Sequence, residues 1–201
     1  MINAIIFDFG DVFINLDKQA TQDALKNLDI SQWNEDLNQL NLQYEVGAIT
    51  EEDFLFGIQK HTNDASITAI RAAWNSILAD FPLYRLEFLQ MLSKKYRLFL
   101  LSNTDAIHIN TFEQKTGPSF YSDFYQCFEK VYFSFEIGMR KPNPAVYSFV
   151  LDQNGLQAKQ TLFVDDKKEN TDAAQALGLP VWNLQVGQED VVDLFDKKII
   201  Q

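Results

Sequence analysis

Four residues of this 201-residue chain have the types and placement to do chemistry together: Asp8, Ser102, Lys141 and Asp166. Each closes or follows a short apolar run. Ala4 to Phe7 precedes Asp8, Arg97 to Leu101 precedes Ser102, Val131 to Phe133 leads towards Lys141, and Leu162 to Val164 runs into Asp165-Asp166. Runs of that length read as buried strands of a parallel sheet. Open α/β sheets gather the carboxyl ends of their strands around one crevice, so two acids, a hydroxyl and a lysine would converge there. Asp8 and Asp166 supply hard oxygens, which suit Mg2+ better than zinc. Asn170, one helical turn after Asp166, can add an amide oxygen or hold a metal-bound water. Ser102 and the Asn103 backbone N–H can donate to oxygens of a bound phosphate, and Lys141 is a point charge suited to phosphate and to an aspartate. The set fits phosphoryl transfer, in which catalysis is mainly positioning and charge neutralisation. Asp8 would attack phosphorus in line, giving an aspartyl-phosphate that water then hydrolyses.

Each residue also has a plainer reading. Lys141 could ion-pair with Asp8 at the surface, Ser102 could be a helix N-cap, and Asp165-Asp166 could be a turn. Asp11 reads as a turn or cap residue, and His61 and His108 as packing or surface residues. Arg140 reads as a solvated neighbour of Lys141.

The elements that must position these residues alternate. After the first strand the pattern turns helical for some seventy residues. Leu16, Ala20, Ala24 and Leu28 form one stripe; Trp33, Leu37, Leu40 and Tyr44 a second; Phe54, Ile58 and His61 a third; and Ile67, Ile70, Trp74 and Ile77 a fourth. Thr50 to Asp53 resembles a capping box, and Ser66 suits an N-cap. A helix from Pro82 then leads to the second strand, and two helical stretches broken at Gly117-Pro118 to the third. Helices follow from about Ala145 and after Asp166, Pro180 to Leu184 forms a fifth strand, and a terminal helix spans Glu189 to Lys198. The expectation is an α/β fold: a doubly wound parallel sheet, a Rossmann-like core, with an inserted helical cap domain. Residues 1–15 and 82–201 would make the core and 16–81 the cap.

A net charge of −11 disfavours nucleic acid and anionic membranes as partners. The expected partner is a small phosphorylated metabolite, drawn in by a divalent cation and local basic groups. Cys127 is the only cysteine, the first apolar run is cut by Asp8 with no basic residues before it, and no apolar stretch approaches membrane-spanning length. These features lead to the expectation of a cytoplasmic protein.

In order and over essentially the whole chain, the segments Phe-Asp-Phe-Gly-Asp-Val, Leu-Ser-Asn-Thr, Gly-Met-Arg-Lys-Pro and Val-Asp-Asp-Lys-Lys-Glu-Asn resemble the four motifs of haloacid dehalogenase-superfamily phosphatases. Within that family they look most like bacterial α-D-glucose-1-phosphate phosphatases. The resemblance implies Asp8 as nucleophile, Ser102 as phosphate-binding hydroxyl, Lys141 as the motif lysine and Asp166 as a metal ligand. Asn170 falls at the second acidic position of the last motif, and the Gly10 carbonyl at a further ligand of the magnesium. One departure stands out: most phosphatases of the family carry an aspartate two residues after the nucleophile as general acid and base. Here that residue is Gly10, with Asp11 one step on. Substrates with acidic leaving groups, hexose 1-phosphates among them, should then be favoured. Two other readings stay open: a 2-haloacid dehalogenase, against which the extra anions of Asp165-Asp166 argue, and a phosphate-binding or interaction module of the same fold with weak turnover.

Overall fold

The computed structural model describes residues 1–200. Five strands, β1 (Ala4–Phe7), β2 (Arg97–Ser102), β3 (Lys130–Phe133), β4 (Thr161–Asp165) and β5 (Val181–Asn183), form one parallel sheet. Their order is β3-β2-β1-β4-β5, a doubly wound arrangement with β1 in the middle. Four helices lie between β1 and β2 ahead of a fifth: α1 (Lys18–Lys26), α2 (Glu35–Glu45), α3 (Glu51–Gln59), α4 (Ile67–Asn75) and α5 (Leu83–Leu92). Then come α6 (Ala106–Thr116) and α7 (Pro118–Gln126) before β3, α8 (Ser134–Ile137) and α9 (Pro144–Gln153) before β4, and α10 (Lys168–Ala176) before β5.

The strands are apolar along their middles because both sheet faces are covered. Alternation sends Ile5, Phe7, Leu98, Leu100 and Val164 into one core, against side chains of α5, α6 and α7. Ala4, Ile6, Phe99, Leu101 and Phe163 enter the opposite core, against α9 and α10. On the first face, Phe9 and Phe13, just past β1, wedge into aromatic neighbours, with Phe9 5.0 Å from Phe112 and Phe13 5.6 Å from Phe124. Those contacts clamp the loop that carries Asp8.

Helices α1–α4 enclose a separate apolar cluster that includes Leu25, Leu37, Phe54, Ile58 and Ile70. Ile107, from α6, is buried in the same cluster. The two chain segments joining these helices to the sheet run antiparallel: Asn15 N–H donates to Asp80 O, Asp17 N–H to Ile77 O and Ala79 N–H to Asn15 O, at 2.8–3.1 Å. Arg85 braces this ladder, donating to Phe13 O, to Asn15 Oδ1 and to the Asp190 carboxylate. The Thr50–Asp53 capping box and the Ser66 N-cap form as expected.

Three details depart from the sequence reading. On α1 the most buried residues are Thr21 and Leu25, one position past the expected stripe, whose Ala24 and Leu28 pack half-buried against the same cluster. Trp33 precedes α2 and is partly exposed, stacked on Trp74 at 5.7 Å instead of lying in the core. The expected terminal helix is a 3-10 turn, Val191–Phe195. Asp190 caps it while Arg85 holds the same carboxylate, and the buried Val191 and Leu194 lie three residues apart, the repeat of that tighter helix. No helix among the described residues is long and apolar enough to cross a membrane.

Candidate active site

The register brings the ends of β1, β2 and β4 level, since Phe7 pairs with both Leu100 and Val164. Asp8 follows β1, Ser102 ends β2 and Asp165 ends β4. Lys141 enters from the loop between α8 and α9 and is only 1% exposed. Its Nζ donates to Asp8 Oδ1, Asp165 Oδ2 and Leu101 O, each at 2.7 Å. This is a buried cation with every donor used, not a surface ion pair. Sequence reasoning assigns Asn103 only a backbone N–H. Its side chain also fixes the lysine's loop, with Nδ2 donating to Lys141 O at 2.8 Å and Oδ1 accepting from Lys141 N at 2.9 Å. Ser102 caps no helix: the N-cap of α6 is Asp105.

The two adjacent aspartates divide their work. Asp165 is fully buried and committed, accepting from Lys141 Nζ, from Lys167 N and from Asn170 Nδ2. Asp166 is partly buried and lines the cavity. Carboxylate oxygens of Asp8, Asp165 and Asp166 all lie within 4.8 Å of one another. Burial, outweighing the Lys141 charge and reinforced by Asp165 and Asp166, pushes the Asp8 carboxyl up to about 7. Burial and the charges of Asp165 and Asp11 raise Asp166 as well. Burial works against the Lys141 ammonium, yet Asp165 and Asp8 outweigh it and hold the lysine protonated.

These residues fit a hard divalent cation. Asp8 spends only Oδ1 on the lysine. Asn170 Oδ1 is buried without a hydrogen-bond partner, an orphaned acceptor beside the acidic cluster. An all-oxygen set carrying surplus negative charge is what Mg2+ takes. Gly10 lies in the same cavity wall, and a Cβ there would come 2.8 Å from Leu16 Cδ1.

Asp11 has φ 56°, a left-handed position that a glycine takes more easily. Its carboxylate accepts from Leu16 N at 3.0 Å and from Lys18 Nζ at 2.8 Å, which matches the expected turn role.

The cavity above the strand ends holds about 200 Å³. Its floor includes Asp8, Ser102, Asp166 and Asn170; Lys18, Asn41, Glu45 and Trp74 close it from the side of α1–α4. Arg140 is not a solvated bystander, because its Nε binds Glu45 of α2. His108, too, is more than a packing residue. It lines the cavity, stacks on Trp74 at 5.2 Å, and faces acceptors with both ring nitrogens: Asp105 Oδ2 at 3.0 Å and Trp74 O at 3.1 Å. Trp74 Nε1 donates to the same Asp105 oxygen at 3.0 Å. Burial opposes the charged imidazole, but the Asp105 charge and hydrogen bonds outweigh it and raise His108 above its ordinary range. Only the Asp105-x-x-His108 spacing at a helix start hints at this pair in the sequence. Lys18, Asn41, Glu45 and Trp74 carry no comparable signal, since packing alone brings them to the cavity.

A four-motif chain with this sheet order and this buried lysine between two aspartates has a recognisable class. The family model for haloacid dehalogenase-like hydrolases matches residues 5–184, and the chain belongs to that family. Among its relatives, the D-ribitol-5-phosphate phosphatase of Bacteroides thetaiotaomicron is 25% identical and covers 94% of this chain and 95% of the relative. The crystal structure of a haloacid dehalogenase-family enzyme from the same organism, in complex with magnesium and inorganic phosphate, superposes with a TM-score of 0.81 at 34% identity, covering 94% of this chain and 97% of that one. A predicted family hydrolase from Porphyromonas gingivalis matches with a TM-score of 0.85 at 26% identity over the whole of both chains.

Proposed function

We propose that this protein is a Mg2+-dependent phosphatase that hydrolyses the phosphate ester of a small sugar or polyol through an aspartyl-phosphate on Asp8. The observation that carries the reading is the Lys141 ammonium bound to Asp8 and Asp165 on the floor of a cavity that Ser102 and Asp166 also line. An Asp8 oxygen attacks phosphorus as the ester oxygen departs with the bonding electron pair. Water then cleaves the acyl phosphate, releasing inorganic phosphate and restoring the carboxylate. Lys141 fixes Asp8 through Oδ1 and offsets its charge. The Ser102 hydroxyl, with the Asn103 N–H, binds phosphate oxygens; the Asn103 side chain holds the lysine's loop in place. Asp8, Asp166, the Gly10 carbonyl and Asn170 would hold the magnesium, which when bound neutralises phosphate charge and orients its oxygens.

Residues 16–81 act in this reading as a cap over the core of 1–15 and 82–201, and the polar Asn41 and Glu45 suit a hydroxylated substrate. Hexose 1-phosphates come ahead of hexose 6-phosphates, because the more acidic anomeric hydroxyl depends less on a proton donor and position 10 supplies no carboxyl. The named activity of the Bacteroides relative favours a second candidate, a pentitol phosphate. A panel assay separates the readings: phosphate and halide release measured with and without Mg2+, with Asp8→Asn as control. Mg2+-dependent phosphate release lost in Asp8→Asn is the expected result. Halide release without metal would make the protein a dehalogenase, and binding of phosphate without turnover would make it a binding module.

A further inference from the structure

With glycine at position 10, the loop after β1 offers no carboxyl to the departing oxygen. We infer that Lys18 takes this part: its ammonium, steered by Asp11, meets the ester oxygen as it leaves. The inference deepens the phosphatase reading and rests on it.

An in-line attack by Asp8 from the sheet side places the leaving oxygen on the opposite side of phosphorus, towards α1–α4. The polar groups of α1–α4 that line the cavity are Lys18, Asn41, Glu45 and Trp74; His108, stacked on Trp74, has both ring nitrogens engaged by Asp105 and Trp74 O. Glu45 is paired with Arg140, and Trp74 Nε1 is committed to Asp105. The Asn41 amide can donate a hydrogen bond but holds its protons too tightly to give one up. Lys18 remains. Its Nζ lies 2.8 Å from Asp11 Oδ2, and its side chain is 59% exposed, so the stem can shift towards a substrate while the ammonium keeps its hydrogen bond to the buried Asp11 carboxylate. The hydrogen bond that Lys18 donates to Asp11 keeps it protonated against its partial burial, and the charges of Asp11, Asp166 and Asp8 add to this. Asp11 itself is nearly buried, with its other oxygen held by Leu16 N. It is a positioning residue.

As the Asp8 oxygen bonds to phosphorus, the bond from phosphorus to the ester oxygen breaks and its electron pair stays on that oxygen. Lys18 passes it a proton, a downhill transfer because an alkoxide is far more basic than an amine. The neutral amine regains a proton from the solvent that its side chain meets.

The test is kcat/KM for Lys18→Met over a series from 4-nitrophenyl phosphate through weaker phenols to alkyl phosphates, in Mg2+. General-acid help typically contributes about 10²–10⁴-fold, so the alkyl phosphates should lose about 10²-fold or more. 4-Nitrophenyl phosphate, whose leaving group needs no proton, should stay within about threefold. Rates plotted against leaving-group acidity should therefore steepen. Asp11→Asn should show the same selective pattern more weakly, and Lys18→Arg, which donates a hydrogen bond but gives up no proton, should fall between. An equal loss across the series would assign Lys18 to phosphate binding or to folding and overturn the inference, as would no loss at all. If wild-type protein hydrolyses none of the series while Asp8→Asn behaves alike, the phosphatase reading itself falls.

Discussion

Replacing Lys141 by methionine tests the centre of the site. Methionine keeps most of the stem and its packing, so the change removes charge and donors with little cavity formation. Three acceptors lose a partner at 2.7 Å: Asp8 Oδ1, Asp165 Oδ2 and Leu101 O. Breaking a buried pair by deleting one partner costs about 3–5 kcal/mol. At about 2–4 °C per kcal/mol for a chain of this size, the melting temperature should fall by about 6–20 °C in chelator at pH 7.5. Lys168→Met, which removes an exposed pair with Asp172, should cost no more than about 2 °C. The deficit should depend on pH. The Asp8 carboxyl titrates near 7 in the folded protein, above its unfolded value, so the native state binds the extra proton and is favoured in acid. That advantage is lost as pH rises from about 4 to about 7, and without Lys141 the ionised carboxyl has no counter-charge. The Lys141→Met deficit should therefore be widest above pH 7 and narrow towards pH 5. Thermal unfolding followed by far-UV circular dichroism measures both. A melt within 2 °C of wild type at pH 7.5, or a deficit that grows in acid, would refute the reasoning.

Three further outcomes are expected. Asp166→Ala should remove the rise in melting temperature that Mg2+ produces, whereas Asn170→Asp, which adds a charge at the orphaned acceptor, should lower the Mg2+ midpoint about tenfold; an unchanged midpoint in both would discard these ligands. Borohydride trapping during turnover, followed by peptide mapping, should label Asp8, and a label elsewhere would reassign the nucleophile. The His108 pair stabilises fully below the ordinary histidine range, and its contribution is lost as pH rises through the elevated native value. The gap in melting temperature between wild type and His108→Gln should therefore shrink from pH 6 to pH 10, and a constant gap would mean that the imidazole does not change charge over that range and would overturn the reasoning.

What the sequence made legible was whatever is local along the chain or imposed by the sheet. Four apolar residues before Asp8 and three before Asp165 are short-range patterns, and parallel pairing aligns the strand ends without further information. The burial of Lys141 follows only once Leu101 O and Asp165 surround it, which needs three separated segments together. Adjacency hid the division between Asp165 and Asp166, because successive residues at a strand end turn in opposite directions. The roof of the cavity was illegible for a similar reason. Lys18, Glu45 and Trp74 sit on amphipathic helices whose patterns show which face is buried but not where the rest points. The last element departs from the helical expectation because a tertiary contact, Arg85 with Asp190, competes with helical propensity there.

Ile107 gives the four-helix cluster a thermodynamic tether. It belongs by sequence to α6, five residues past Ser102, yet it is buried among Leu25, Phe54 and Ile70. Any outward swing of α1–α4 must draw this side chain into water, at about 1.5–3 kcal/mol. This side chain alone would hold open molecules to at most about one in ten to one in a hundred, and any other contact lowers the fraction further. Shortening the side chain to valine or alanine would raise that fraction. An enzyme limited by the escape of its alcohol would turn over faster as a result, while one limited by chemistry would gain only a wetter, leakier chamber.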